Sequence, residues 1–323
     1  MTLQPLRRLK RSIERRIFGA DPIILMYHRV ADIPVDPWGL AVHPANFEQQ
    51  IVRLKLFRRV VHLSELLDLE RSRAPSGRPL AAVTFDDGYH DVYSNARPIL
   101  QRLDCPMTLF VTTGIIGTAR EFWWDALARV FLEVEKLPNS LTLNVGGKEG
   151  HWAVPPFSDP EARNRIFRQM WEALRVLPHD VQSQLVAKIG AWSSCDLTAR
   201  EMHRAMTAQE ARNISDDLIT IGAHTLTHPS LPAHSADIQF REIAESRRAC
   251  EELAGTAVRT FAYPFGDHSD VTVRAVREAG FDLACTVDAR SVGRNTAPLA
   301  LPRIYVGNWE ADEFQMRIED PSL

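Results

Sequence analysis

Over most of the chain, short runs of apolar and β-branched residues alternate with longer segments whose apolar positions recur at helical spacing. Runs at 22–29 (PIILMYHR), 80–86 (LAAVTFD), 106–113 (PMTLFVTT), 218–223 (LITIGA), 259–264 (RTFAYP), 281–287 (FDLACTV) and 301–306 (LPRIYV) read as strands. Helical patterns occupy 46–57, 62–70, 91–102, 235–254 and 269–279. In 235–254, Ile243, Cys250 and Leu253 recur at helical spacing, and Gly255 supplies a C-terminal stop. Such alternation is the signature of an α/β protein with a parallel sheet and crossover helices. Seven strands with outer helices fit a closed or nearly closed barrel better than an open dinucleotide-binding sheet, because no GxGxxG follows any strand.

Residues 119–207 break this rhythm. They hold FWWDALARVFLEVEKL, a glycine-containing stretch LNVGGKEGHW that reads as a hairpin, and two helical patterns at 160–175 and 179–190. Insertions at barrel loops commonly shape the mouth of a site. The expected organisation is a basic arm at 1–20, a single barrel built from 21–118 and 208–310, a largely helical inserted cap at 119–207, and a tail at 311–323.

Composition adds constraints. With 45% hydrophobic and 24% charged residues in 323, the chain is ordinary globular material. Its longest apolar runs, such as IILMY, fall far short of the ~20 residues that cross a bilayer. The N-terminal segment is charged throughout and lacks the apolar stretch of a secretory leader, so a cytoplasmic location is expected. Four scattered cysteines without a CxxC pair read as reduced thiols. Net charge is −3, yet Arg7, Arg8, Lys10, Arg11, Arg15 and Arg16 against Glu14 give the first 19 residues +5, leaving −8 for the rest. An acidic body argues against nucleic acid as a partner. The basic arm suits peripheral contact with anionic lipid on the inner membrane face, its plainer reading being a solvated helix.

Candidate chemistry gathers at strand ends. Asp86 and Asp87, followed by Gly88, end one strand; adjacent residues serve one pocket only where the backbone turns, although Asp-Gly is also a common turn signal. His224 and His228 follow another strand. Full extension would separate them by roughly 13 Å, so shared ligation requires a turn through Thr225 and Thr227. Two histidines and a carboxylate suit a catalytic divalent ion, zinc best, with cobalt, nickel or iron able to take the same donors. His28 ends the first strand, FAYPFG ends in a turn, and Arg303 inside an apolar strand needs an acidic partner. Each feature has a structural explanation taken alone, but all lie within or at the C-terminal ends of the expected strands, where barrel sites form.

Taken together, TFDDG at 84–88, HTLTH at 224–228 and YPFG at 263–266 resemble, in order and spacing, the three motifs of the polysaccharide deacetylases of carbohydrate esterase family 4, the NodB-homology group. The resemblance spans about 21–118 and 208–310 and implies a distorted (β/α)7 barrel and metal-dependent hydrolysis of an N-acetyl group on an amino sugar. It assigns Asp87, His224 and His228 to the ion and Asp86 to the general base, with a backbone N–H near Tyr263 on the oxyanion. Two departures follow. Phe261 stands near the place of the motif arginine that supports the base, so Arg303 becomes the candidate for orienting Asp86. No histidine follows His268, so the late acid motif is absent, and the permuted poly-N-acetylglucosamine deacetylases are the more similar type; YHRV then offers His28 as the acid. Trp38, Trp123, Trp124, Asp125 and Pro264 are the candidates for contact with an N-acetylated glycan, polymeric or lipid-linked. A Trp pair that starts a helix, as Trp123 and Trp124 do, is more often core. A carbohydrate-binding pseudoenzyme, or an amidohydrolase or deformylase for another N-acyl group, are the competing readings.

Overall fold

A computed structural model describes residues 21–71 and 77–319. The basic arm at 1–20 lies outside the described residues. In chain order the strands are β1 (Ile23–Tyr27), β2 (Arg29–Val30), β3 (Ala41–Val42), β4 (Arg59–Val60), β5 (Leu80–Phe85), β6 (Met107–Val111), β7 (Ser140–Val145), β8 (Lys148–Ala153), β9 (Ile219–Ala223), β10 (Thr260–Ala262), β11 (Leu283–Cys285) and β12 (Ile304–Tyr305).

Seven of these form one parallel sheet in the order β11-β10-β9-β6-β5-β1-β12, with β4 paired beside the start of β5. Its ends meet through a single parallel bridge, Cys285 to Leu301, which closes a distorted (β/α)7 barrel. All seven correspond to runs read from the sequence, but several are shorter. Only Ile304 and Tyr305 of the last run pair with β1, and the first run divides at His28, after which β2 turns to pair with β3. Strand ends are set by what lies alongside, and apolarity alone overruns them.

Side-chain alternation sorts the core. Leu25, Val83, Leu109 and Phe261 pack with Phe47, Ile51, Ile243 and Cys250 of the surrounding helices. The intervening residues Ile24, Ala82, Phe110, Ala262 and Leu283 form a second cluster, the barrel interior. Gly222 belongs to this packing: a Cβ there would stand 2.5 Å from the Phe110 ring, so only glycine leaves room for it. Alternation also fixes direction at the strand ends, since Ile24, Met26 and His28 share one face, as do Ala82, Thr84 and Asp86.

Residues following β6 build the cap. Helices Pro160–Leu174 and His179–Ser193, together with the β7–β8 hairpin, enclose a separate apolar cluster that includes Phe131, Leu141, Phe167, Met170 and Ile189. Asp159 caps the first helix and Pro160 begins it, a combination that fits the unsatisfied N–H groups of a helix start. At the neck, Arg200 binds Glu121 through Nε at 2.7 Å and Glu133 through Nη1 at 2.7 Å. One expectation is corrected. Residues 311–319 are not a tail, because Ala311–Glu319 is a helix that buries Phe314 and Ile318 against the barrel, and Arg53 holds Asp312 at 2.7 Å; 320–323 lie outside the described residues. Among the described residues no helix is long and apolar enough to cross a membrane. The four cysteines are unpaired; Cys105, Cys250 and Cys285 are buried and Cys195 is half-buried.

Candidate active site

β5 delivers Asp86 and Asp87 together because the backbone reverses just beyond its end. Asp87 has φ 73° and Gly88 φ 98°, so the turn begins one residue earlier than glycine alone would demand. A non-glycine residue in this region is disfavoured and is held only where its surroundings determine it. Asp86 stays on the inward face that Ala82 and Thr84 share. Arg303 grips it through Nη1–Oδ1 at 2.6 Å and Nη2–Oδ2 at 2.7 Å, and donates Nε–H to the Thr286 carbonyl at 3.0 Å. The arginine is fully buried and the aspartate 3% exposed. Burial by itself would raise the Asp86 carboxyl; the Arg303 charge outweighs it and holds the group ionised far below the usual range, aided by His224 and His28.

The histidines come from a loop folded by two further left-handed residues, Thr225 at φ 64° and His228 at φ 59°. The turn thus runs through Thr225 and His228, where the sequence suggested Thr225 and Thr227. Asp87 Oδ1 lies 3.6 Å from His224 Nε2 and 3.4 Å from His228 Nε2. Donors about 2.1 Å from a shared tetrahedral ion stand roughly 3.4 Å apart, so these separations fit one metal. His224 donates Nδ1–H to the Ala262 carbonyl at 2.7 Å, which leaves the lone pair on Nε2, facing Asp87. Burial lowers both imidazoles and keeps them neutral. Burial, with the charges of Asp86 and Asp125, pushes the Asp87 carboxyl well above its ordinary range, and its Oδ1 is buried without a hydrogen-bond partner. A buried carboxylate oxygen facing the Nε2 atoms of two histidines suits a cation by charge, donor type and spacing.

Two supports escaped the sequence reading. Glu242, buried on the Ala236–Ala254 helix, accepts the N–H groups of Leu226 at 3.0 Å and Thr227 at 2.9 Å and the Thr227 hydroxyl at 2.8 Å, bracing the histidine loop. An acid on the same helical stripe as Ile243 and Cys250 was the available signal. Gly114 donates its N–H to the Leu226 carbonyl at 2.8 Å, and a Cβ there would come within 2.5 Å of that oxygen.

A model of the polysaccharide deacetylase family matches residues 73–136 and 188–284, the stretches that carry both aspartates, both histidines and the YPFG turn. The chain belongs to the polysaccharide deacetylase family. Among curated proteins it is similar to YxkH of Bacillus subtilis strain 168, named among the polysaccharide deacetylases, at 23% identity over 101 residues, 31% of this chain. The match spans only 36% of that relative's length. Similar solved folds include the Streptococcus pyogenes deacetylase PplD in complex with acetate (TM-score 0.61, 18% identity, 94% of this chain and 99% of that one). IcaB from Ammonifex degensii follows (0.59, 19%, 93% and 97%), as does a de-N-acetylase from Aggregatibacter actinomycetemcomitans (0.56, 13%, 93% and 100%). At these identities the structural likeness is one of fold.

In this member of the polysaccharide deacetylase family the remaining sequence candidates divide. His28 sits beside Asp86, Arg303 and His224 and is the one group of the set that is partly exposed; burial lowers it to about 4, against the opposing pull of Asp86. Tyr263 is a correction. Its N–H is spent on the Cys285 carbonyl at 3.1 Å, its hydroxyl on the Leu299 carbonyl at 2.9 Å, and the residue is fully buried. Two residues on, Phe265 has φ 58°, and its N–H makes no hydrogen bond among the described residues. Pro264 is buried beneath that turn and shapes it without presenting a surface. Trp124, 4% exposed, lies 4.7 Å from the His228 ring and donates its indole N–H to the Tyr89 hydroxyl at 2.8 Å, so it braces a histidine instead of offering a face to a sugar. Asp125 accepts the Tyr89 hydroxyl at 2.7 Å in the same network. Trp123 and Trp38 are half-buried and both lean on Trp171 of the cap, at 6.2 and 4.6 Å.

Proposed function

We propose that the protein is a metal-dependent hydrolase that removes an N-acetyl group from an amino sugar of a glycan or lipid-linked glycan precursor. The observation that carries this reading is the buried cluster of Asp87, His224 and His228, whose ligand atoms lie within 4.8 Å of one another beside an ionised Asp86. These three would hold a divalent ion, zinc best by donor type, which when bound polarises an acetamide oxygen and acidifies water. Asp86, oriented by both guanidinium nitrogens of Arg303, takes the proton of the attacking water. The free N–H of Phe265 is the donor for the oxyanion. His28, partly open beside Asp86, takes up the proton that Asp86 has removed from the water and, as the imidazolium, passes it to the departing nitrogen, so that water supplies hydroxyl to the acetate and hydrogen to the amine.

Metal content and acetate release from N-acetylhexosamine substrates test the proposal. Asp86→Asn should retain metal and lose roughly 10²- to 10⁴-fold in turnover. Bound metal with no release from any acylated sugar would favour a binding module. Release from a non-sugar amide or formyl substrate alone would favour a different amidohydrolase.

A further inference from the structure

The mouth of this barrel is crossed by one side chain of the cap. In the closed ring, β1 lies three strands from β9 in one direction and three from β10 in the other, so their loops face each other across the opening. Trp171, on the Pro160–Leu174 helix, touches Trp38 from the β1 side at 4.6 Å, Phe265 from the β10 side at 5.4 Å and Trp123 from the β6 side at 6.2 Å. Phe265 in turn rests on His228 at 4.5 Å.

The bridge is pinned at its far end. Arg175, which follows the helix, pairs with Asp267 at 3.4 Å, and its carbonyl accepts the Ser230 N–H at 3.4 Å; Ser230 also donates its hydroxyl to Asp267 at 2.7 Å. Loops from opposite walls are therefore tied to one cap helix directly above the histidines. Access that remains lies toward His28, since Asp86, Asp87, His224 and His228 are all 6% exposed or less.

A polymer treated at an internal sugar must pass through its site and leave on the other side, which requires an opening at both ends. Here one side is closed by Trp171 and its partners. We infer that the substrate is offered end-on, as a chain-terminal or single N-acetylated sugar, and that Trp171 is the residue that excludes internal positions. This deepens the deacetylase reading and rests on it.

The full-length protein with its metal is incubated with β-1,4- and β-1,6-linked N-acetylglucosamine oligomers from disaccharide to pentasaccharide, and the free amines are located by tandem mass spectrometry. Wild type should yield amines at one terminal sugar only, at a rate that changes by less than roughly threefold with chain length. Trp171→Ala should raise the ratio of internal to terminal product by roughly tenfold, a size expected from reshaping an apolar contact. Amines at internal sugars of the wild-type product overturn the inference and leave the deacetylase reading standing. Acetate release from no oligomer removes that reading and the inference with it. Should the alanine variant fail to fold, the wild-type map decides alone.

Discussion

Arg303 and Asp86 meet with almost no solvent on either, which makes their pairing costly to disturb. Replacing Arg303 by Met should destabilise the fold by about 3–5 kcal/mol, because a buried carboxylate is left without its cation. The pH dependence should change sign as well. In the wild type the folded Asp86 lies below its unfolded value, so its contribution is full above about pH 4 and is lost as pH falls further. Without the guanidinium, burial would lift the group above that value, and stability would be lost as pH rises. Denaturant midpoints on both sides of about pH 4 would show the variant's deficit widening with pH; a constant deficit would contradict the account. His28 makes a parallel case, its folded value of about 4 lying below the ordinary 6.5. Keeping it neutral stabilises the fold above about pH 6.5, and this contribution fades as pH falls toward 4. Substitution by Gln should remove on the order of 2 kcal/mol of that dependence. A wild-type slope retained in His28→Gln would mean that other groups carry it.

At the scale of elements, the histidine loop depends on a helix distant in the chain. Glu242→Ala leaves two loop N–H groups and one hydroxyl without their acceptor, which should cost about 2–3 kcal/mol and weaken binding of the proposed divalent ion by roughly 10- to 100-fold. Calorimetric zinc titration separates this from a simple loss of folded protein. Gly114→Ala attacks the same loop from the other side and should destabilise by about 1–3 kcal/mol, since the added carbon meets the Leu226 carbonyl. How far the elements were legible follows from what makes each of them. The apolar runs announced every barrel strand and the helical stripes every crossover helix that was expected. The short strands β3 and β4 passed unseen, and β2 was merged with the first run, because two-residue pairings carry no periodicity of their own. The motif turns were readable as turns, but the left-handed residues Asp87, Thr225 and His228 were not. Their conformations are imposed by the sites they serve, against local preference.

The whole molecule is a barrel with a second apolar centre laid over its mouth. That cap is joined through a neck in which Glu121, with a buried side chain, depends on Arg200, while Arg129 lies farther off at 3.7 Å. Arg200→Met should cost about 2–4 kcal/mol and expose the cap first, so that limited proteolysis cuts within 119–207 before the barrel is attacked. Simultaneous loss of cap and barrel would instead show the two to be one cooperative unit. By itself the sequence determined the barrel class, the strand order along the chain, and the residue types whose donor chemistry suits a divalent ion. Those properties lie in short-range pattern and in the chemical identity of side chains. Only tertiary structure decided that Arg303 reaches Asp86, that Tyr263 is spent on sheet and core bonds while Phe265 keeps a free N–H, and that Trp171 spans the opening. Each depends on which distant segments are brought face to face, and a residue's identity does not state its partner until the ring of strands has closed.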